Sequence, residues 1–367
     1  MALRRTLTLM LCAITGASLV ATAVPSSAAP GFTISPLRTS DSIQSTSGFV
    51  VHLKDRSASA QRVRTAHAAS AMQATSTSLR GLVDRAAKVR GAHVTESLAR
   101  ANNSMSVQVS QGLNATAAKA FASEIERNPE VESVEPVLHM TINENTGVHP
   151  AAVSSAPNDQ YWNRQWGLNS ENGIDAPGAW ATNTGSGVTV AVIDSGITKH
   201  PDLDGKVLPG YDFISDRYAA GDGNGRDSDP SDEGDWTRAG ACTRRDVPSS
   251  WHGTHVAGII GAATNNARGV AGAAPGAKIL PVRALGHCGG TDVDIADGIT
   301  WASGGEVPGV PTNHNPAKVI NLSLGGPSNY CPITYQRAID AAVSRGSTVV
   351  VAAGNEAVSY THLRAHE

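Results

Sequence analysis

The 367-residue sequence lacks any strong excess of charge, since 29 Lys and Arg against 32 Asp and Glu leave a net charge of −3. Without a basic or acidic excess, nothing in the composition indicates a nucleic acid as a partner. Aromatic residues make up only 4% of the chain, whereas 37 glycines indicate many tight turns. No internal repeat is present. The hydrophobic fraction of 40% is ordinary, and the length suits two domains or one large one.

The N-terminus has the composition of an export signal. Arg4 and Arg5 precede an apolar stretch over residues 7–24, which ends in the small residues 26–29. This order predicts a secretory signal peptide over residues 1–28 and therefore a secreted, extracellular protein. The alternative is an N-terminal membrane anchor. The stretch is only weakly apolar and no stop-transfer flank follows it, so we expect no stable membrane association.

Three cysteines follow the predicted signal peptide, namely Cys242, Cys288 and Cys331. Secretion permits disulfides between them. Because three is an odd number, either one thiol stays reduced or its partner is missing from this sequence. The residues alone leave both interpretations open.

Residues 29–157 are predicted to form a separate N-terminal region with a small α+β core over about 47–142. Patterns that predict strands lie at residues 48–53, 105–109 and 131–137, and patterns that predict helices lie at 57–90 and 114–127. Asn114 is a favourable N-cap for the last of these helices. A linker over residues 143–157 follows the core.

From residue 158 onward, apolar segments that predict strands alternate with segments that predict helices. The strands are predicted at residues 188–193, 277–285, 317–326 and 347–355, and the helices at 252–263, 292–303 and 334–345. Nearly continuous apolar strands of this kind predict an α/β fold with a doubly wound parallel sheet, covered on both faces. Ligands of such sheets bind beyond the carboxyl ends of the strands, where Asp194, Ser323 and Asn355 lie.

Asp194, His252 and Asn355 each have an ordinary structural interpretation, as a cap, a helix residue and a turn residue. Taken together and in this order, they fit one catalytic scheme. An aspartate orients an imidazole, the imidazole acts as a general base, and an asparagine amide stabilises an oxyanion.

Four segments then carry a specific resemblance. VAVIDSGI around Asp194, HGTHVAG from His252, VINLSLGG from Val319 and VVVAAGN up to Asn355 resemble the subtilase family of secreted serine endopeptidases. The match covers residues from about 160 to 355. It implies a subtilisin-like catalytic domain over 158–357 that hydrolyses polypeptide substrates, as a monomer. It also implies that the N-terminal region is a ferredoxin-like propeptide, which assists folding and inhibits the enzyme.

One departure from the family is serious. The nucleophilic serine of subtilases lies in a Gly-Thr-Ser-Met-Ala motif far downstream of the asparagine, and this sequence contains no such motif. Neither Ser195 nor Ser323 is a credible substitute, so the chain as given is predicted to be inactive. An alternative is a catalytically inert binding or inhibitor protein with a remnant triad. The last ten residues, VSYTHLRAHE, resemble a translated sequencing adapter, so residues 358–367 are predicted to be non-native; the alternative is a natural polar tail.

The resemblance also implies a substrate groove and a calcium site. Ser323, Leu324 and Gly325 would pair with the substrate backbone, with Gly289 and Gly290 on the other side. Calcium is the implied structural cofactor, because oxygen ligands suit it. Its implied ligands are Asp202, the Asn266 side chain, the carbonyls of Thr264, Arg268 and Val270, and Asp159 or Gln160. The acidic loop over residues 221–236 is either a solvated insertion or a weaker calcium site.

For the cysteines, the resemblance favours a disulfide between Cys242 and Cys288. Cys331 would then pair with a cysteine beyond Ala357. The alternative is a Cys288–Cys331 disulfide, which would tie together the two edges between which a peptide must bind.

Overall fold

The computed structural model describes residues 46–66, 71–141, 156–326, 331–352 and 354. All of these residues belong to one compact body that spans residues 38–367. The predicted signal peptide, the predicted non-native tail and Asn355 lie outside the described residues. Among the described residues, no helix is long and apolar enough to cross a membrane.

The N-terminal region forms the predicted α+β unit. Its elements are β1 (Thr46–Leu53), α1 (Ala58–Thr65), α2 (Ala71–Ala74), α3 (Thr77–Lys88), β2 (Val94–Arg100), β3 (Ser104–Leu113), α4 (Ala115–Ile125) and β4 (Val131–Pro136). The strands pair antiparallel in the order β2-β3-β1-β4, which gives the β-α-β-β-α-β arrangement of a ferredoxin-like fold. Helices and sheet enclose one apolar core, in which the rings of Phe49 and Phe121 lie 4.5 Å apart.

Local hydrogen bonds explain where the helices of this unit begin. The Asn114 side chain accepts a hydrogen bond from the backbone N–H of Ala117 at 2.9 Å, as the predicted N-cap should. The expectation of one helical segment over 57–90 was too simple. Ser57 and Ser76 each cap a helix of their own, so the segment divides into α1, α2 and α3.

The second region contains the predicted parallel sheet. Its strands are β6 (Thr189–Asp194), β7 (Tyr211–Asp212), β8 (Lys278–Arg283), β10 (Val319–Leu322) and β11 (Thr348–Val351), and its longer helices are α8 (His252–Gly261), α9 (Asp292–Ala302) and α10 (Ile333–Ser344). Short elements complete the chain: β5 (His139–Met140), α5 (Trp166–Asn169), α6 (Ala176–Trp180), α7 (Arg217–Ala220) and β9 (Gly290–Thr291).

The strands of this sheet run parallel in the order β11-β10-β6-β8-β7, with β6 in the centre. Val192 and Ile279 pack with α8 on one face, while Ile193 and Leu280 pack with α9 and α10 on the other. Alternate residues of β6 are therefore buried against helices on opposite faces, which confirms the doubly wound α/β prediction. The N-terminal unit rests on α9 and α10, and every residue of α9 is buried.

Candidate active site

The central strand ends at a buried carboxylate. Asp194 is the last residue of β6 and is fully buried. Its Oδ1 accepts a hydrogen bond from the backbone N–H of Ser195 at 2.7 Å, which holds the carboxylate at the carboxyl edge of the sheet. This is the edge at which parallel sheets bind their ligands.

An imidazole lies directly against this carboxylate. His252 is the first residue of α8, and its Nδ1 lies 2.8 Å from Oδ1 and 2.9 Å from Oδ2 of Asp194. The approach requires glycine at the next position, because a Cβ on Gly253 would lie 2.3 Å from the carbonyl oxygen of Gly196. The glycine of the HGTHVAG segment therefore allows the start of α8 to lie against the end of β6.

Ser195 has a structural function at this junction. Its buried Oγ donates to Asp232 Oδ2 at 2.7 Å and accepts from the backbone N–H of Gly253 at 2.9 Å. Burial raises the pKa of Asp232, while the hydrogen bonds from Ser195 and Gly234 oppose that rise. The Ser195 hydroxyl therefore links Asp232 to the start of α8, and the expectation that it is not a nucleophile stays a prediction. The contact with Asp232 was not foreseen.

A three-stranded antiparallel arrangement lies at the predicted groove. In it, β5 of the N-terminal region pairs with β9, with Met140 opposite Gly290. On the other side, the N–H of Thr141 donates to the Gly325 carbonyl at 2.8 Å, and the N–H of Gly325 donates to the Thr141 carbonyl at 3.2 Å. An extended segment of the chain itself thus lies between the two predicted edges. A Cβ on Gly289 would lie 2.1 Å from the Met140 carbonyl oxygen, so the close approach requires glycine.

The other predicted groove residues border this arrangement. Leu324 is buried in the same apolar cluster as Met140, and the Ser323 Oγ accepts a hydrogen bond from Asn321 Nδ2 at 2.9 Å. The structure therefore brings Asp194 and His252 together and places residues 139–141 between Gly289–Gly290 and Gly325. No feature of the sequence analysis identified residues 139–141 as the segment that lies there.

The predicted Cys242–Cys288 disulfide is confirmed, with the two Cα atoms 5.7 Å apart. The alternative Cys288–Cys331 pairing is wrong. Cys331 is exposed, and its Sγ lies 3.7 Å from Gln336 Oε1. The bridge joins the loop that precedes His252 to the segment that leads into Gly289.

The acidic loop over residues 221–236 is held by its own hydrogen bonds. Asp227 and Asp229 each accept a backbone N–H two residues further along the chain, and Asp235 accepts from both N–H and hydroxyl of Ser250. Arg226 leaves the loop to contact α9. These hydrogen bonds hold the loop in place, and its two interpretations, a solvated insertion and a weaker calcium site, stay predictions.

The predicted calcium loop surrounds Asp202, which is 2% exposed. The Asn266 amide nitrogen lies 2.7 Å from Asp202 Oδ1, and the Val270 N–H donates to Oδ2 at 2.8 Å. The backbone carbonyls of Thr264, Arg268 and Val270 accept no hydrogen bond from any residue that the structure describes. Both carboxylate oxygens of Asp202 thus accept N–H donors, and the predicted ligand oxygen of Asn266 accepts the Arg268 N–H at 2.9 Å. In chemical type, a buried carboxylate and backbone carbonyls are the oxygen ligands that calcium prefers.

The two candidates for a further ligand differ in position. Gln160 is exposed, whereas the buried Asp159 accepts the N–H of Asn265 at 2.9 Å and so holds the loop directly. Among the described residues, no three His, Cys, Asp or Glu side chains converge on a metal position. Any cation held here would therefore depend largely on backbone oxygens.

Comparison with known proteins places these features in context. A family model described as the subtilase family matches residues 185–365. An extracellular protease of Xanthomonas campestris pv. campestris is 51% identical over 257 residues, which are 68% of this chain and 42% of that protein. An extracellular basic protease of Dichelobacter nodosus is 48% identical over 239 residues, 63% of this chain and 38% of that protein. Thermitase of Thermoactinomyces vulgaris is 40% identical over 202 residues, 54% of this chain and 58% of that protein.

Solved structures show the same likeness. A protease of Pseudoalteromonas arctica superposes with a TM-score of 0.54 at 56% identity, covering 55% of this chain and 60% of that one. Fervidolysin from Fervidobacterium pennivorans, at 24% identity and a TM-score of 0.53, covers 86% of this chain and 40% of that one and supports the fold alone. The chain spans between 38% and 58% of the length of the three curated relatives.

Proposed function

Because this chain belongs to the subtilase family, we propose that it is the precursor of a secreted serine endopeptidase. The observation that carries the proposal is the contact of His252 Nδ1 with the buried Asp194 carboxylate, beside a groove that accepts an extended peptide. The nucleophilic serine of the complete enzyme is absent from these 367 residues, so the chain as given does not hydrolyse peptide bonds.

The proposed mechanism assigns one function to each side chain. Asp194 accepts the Nδ1–H of His252 and so leaves Nε2 as the base that takes the serine proton and later protonates the leaving amine. Asn355 donates to the tetrahedral oxyanion, a contact that contributes roughly 3–4 kcal/mol in such sites. Substrates bind as an added strand between Gly289–Gly290 and Ser323–Gly325, so backbone pairing favours extended polypeptides of varied sequence.

The N-terminal unit is proposed to act as an intramolecular inhibitor and folding aid. Residues 139–141 supply the strand that a substrate would otherwise supply, which supports inhibition by occupation of the groove. The names of the extracellular relatives support secretion. We further propose that the enzyme acts as a monomer.

Calcium is proposed as a structural cofactor. Asp202, Asn266 and the carbonyls of Thr264, Arg268 and Val270 would hold it, with Asp159 or Gln160 as a further ligand. The cation would neutralise the Asp202 carboxylate. It would also connect the loop over residues 264–270 to Asp202.

The test is to read the gene past Ala357 and assay the complete product on casein and with a serine-directed fluorophosphonate label. We expect labelling of a serine in a Gly-Thr-Ser segment. We also expect that Asp194→Asn lowers the turnover rate by roughly 10⁴-fold, the loss that triad enzymes show. His255→Ala, an exposed histidine on the same helix, is the matched control. Adapter-free reads that end in a stop codon, with no labelled serine, would favour an inert binding protein.

A further inference from the structure

Two buried carboxylates on α9 bind a guanidinium of the N-terminal unit. Arg100, the last residue of β2, places Nη1 2.7 Å from Asp294 Oδ1 and 3.3 Å from Asp297 Oδ2. Arg100 is 4% exposed, so this contact is excluded from water. The partners lie 194 and 197 positions apart in the sequence.

A second guanidinium supports the same two carboxylates from the parallel-sheet region. Arg226 Nη2 lies 2.7 Å from Asp294 Oδ1 and 2.8 Å from Asp297 Oδ2. Its Nε donates to the Phe213 carbonyl at 3.0 Å, and its guanidinium lies 5.5 Å from the Phe213 ring centroid. Arg226 is therefore fixed independently of Arg100 and holds both carboxylates in place for it.

The contact has more specificity than charge alone provides. The backbone N–H of Ala101 donates to Asp297 Oδ1 at 2.9 Å, and Arg100 Nε donates to Ser106 Oγ at 2.8 Å. The next residue, Asn102, donates from its amide to Thr300 Oγ1 at 3.3 Å. Helix α9 therefore binds two groups at the start of the turn between β2 and β3. One is the Arg100 guanidinium, and the other is the Ala101 N–H, which makes no hydrogen bond within the hairpin.

The charges balance only while Arg100 is present. Two carboxylates then face two guanidiniums, and without Arg100 they face one. Burial alone would raise the pKa of Asp294, but Arg100 and Arg226 lower that pKa to about 2, so the carboxylate is ionised. Loss of Arg100 would leave two buried carboxylates beside one guanidinium, and although Arg226 and Ser215 would still donate to Asp294, the uncompensated charge is costly in a buried place.

We propose that Asp294 and Asp297 form a guanidinium-binding site on α9 that selects an arginine at the β2–β3 turn of the N-terminal unit, where Arg100 fills it. Lysine fits poorly, because its ammonium is a point charge that lacks the planar fork of guanidinium.

The test is chemical rescue in the full 367-residue chain, followed by hydrogen exchange of residues 100–104 and α9. Arg100→Ala should speed exchange there on the order of a hundredfold, as expected when one partner of a buried ion pair is removed. Millimolar ethylguanidinium should restore most of the protection, whereas ethylammonium at the same ionic strength should not. Arg90→Ala, which breaks the Arg90–Glu124 pair of the same unit, is the matched control and should leave α9 unchanged.

Unchanged exchange in Arg100→Ala, or equal rescue by both cations, would overturn the proposal. The proposal would also be overturned if ethylguanidinium restored protection equally well in the double variant Arg100→Ala/Asp297→Asn, because this variant lacks one of the two carboxylates. If Arg100→Ala does not fold, Arg100→Lys replaces it, and exchange as slow as in the parent chain would count equally against the site. None of these measurements depends on peptidase activity, so their failure is distinguishable from failure of the proposed function.

Discussion

Replacing Glu135 by glutamine should strongly destabilise the contact between the N-terminal unit and α10. Glu135 is fully buried in β4 and accepts the backbone N–H groups of Ile333 and Thr334 at 3.0 and 2.9 Å. The Thr334 hydroxyl also donates to it, and its Oε1 lies 2.9 Å from His52 Nε2. One carboxylate thus satisfies the first N–H donors of the helix and lies at the positive end of its dipole.

The magnitude follows from these contacts. A negative charge at a partly buried helix N-terminus contributes up to about 2 kcal/mol. Glutamine also turns one acceptor into an N–H₂ group that faces other donors, and an unsatisfied buried donor costs about 1–3 kcal/mol. The free energy of unfolding of Glu135→Gln should therefore fall by roughly 3–5 kcal/mol, the range seen when one partner of a buried charge pair is lost.

The assay is urea unfolding of the full chain, with Glu132→Gln as the control, because Glu132 is half-exposed and should lose less than about 1 kcal/mol. Burial raises the pKa of Glu135, but hydrogen bonds from His52 and Thr334 outweigh it and hold the pKa below its usual 4.5. The carboxylate therefore stabilises the fold above about pH 4.5, and this contribution is lost as the pH falls through the folded pKa. A loss below 1 kcal/mol, or a difference between parent and variant that does not shrink in acid, would refute the reasoning.

Three other perturbations test separate parts of the structure. Burial raises the pKa of Asp292 to about 8, so the folded state keeps a proton that the unfolded chain releases, and stability should fall as the pH rises from about 4 to 8. Asp292→Asn should reduce this fall in urea titrations at pH 5 and 8 without abolishing it, because burial also raises the pKa of Asp212 to about 7. Replacing both Cys242 and Cys288 by alanine should cost about 4 kcal/mol in calorimetry, given their separation of 46 residues, whereas Cys331→Ser should change little. Chelation of calcium should lower the melting temperature of the parent chain but not that of Asp202→Asn, and equal shifts in both would exclude the site.

Much of the fold followed from local patterns in the sequence. The apolar runs that became β6 and β8 are buried on both faces, and such strands carry a strong and nearly continuous signature. The equally apolar run that became β11 lies at the edge of the sheet, where Val350 and Val351 are 47% and 54% exposed. Asp194 and His252 could be singled out because each lies at a predictable end of an element, next to glycines that allow close approach.

Contacts between distant segments could not be predicted in this way. Nothing near Met140 marks it as the residue that would pair with Gly290, since the pairing uses backbone groups that every residue possesses. Likewise, the binding of Arg100 to α9 depends on carboxylates almost two hundred positions away. β2 was missed because its sequence, VTESLAR, is mostly polar and lacks clear alternation.

The Cys242–Cys288 bridge closes a covalent ring around part of the candidate active site. The ring contains His252, the whole of α8, the loop around Asn266 and the whole of β8. A single cut by any protease between the two cysteines therefore opens the ring without releasing a fragment, and His252 stays attached to both flanking segments. Such a nicked chain would migrate as two pieces on a reducing gel and as one on a non-reducing gel. The bridge thus makes this stretch tolerant of damage that would separate an unbridged chain into two molecules.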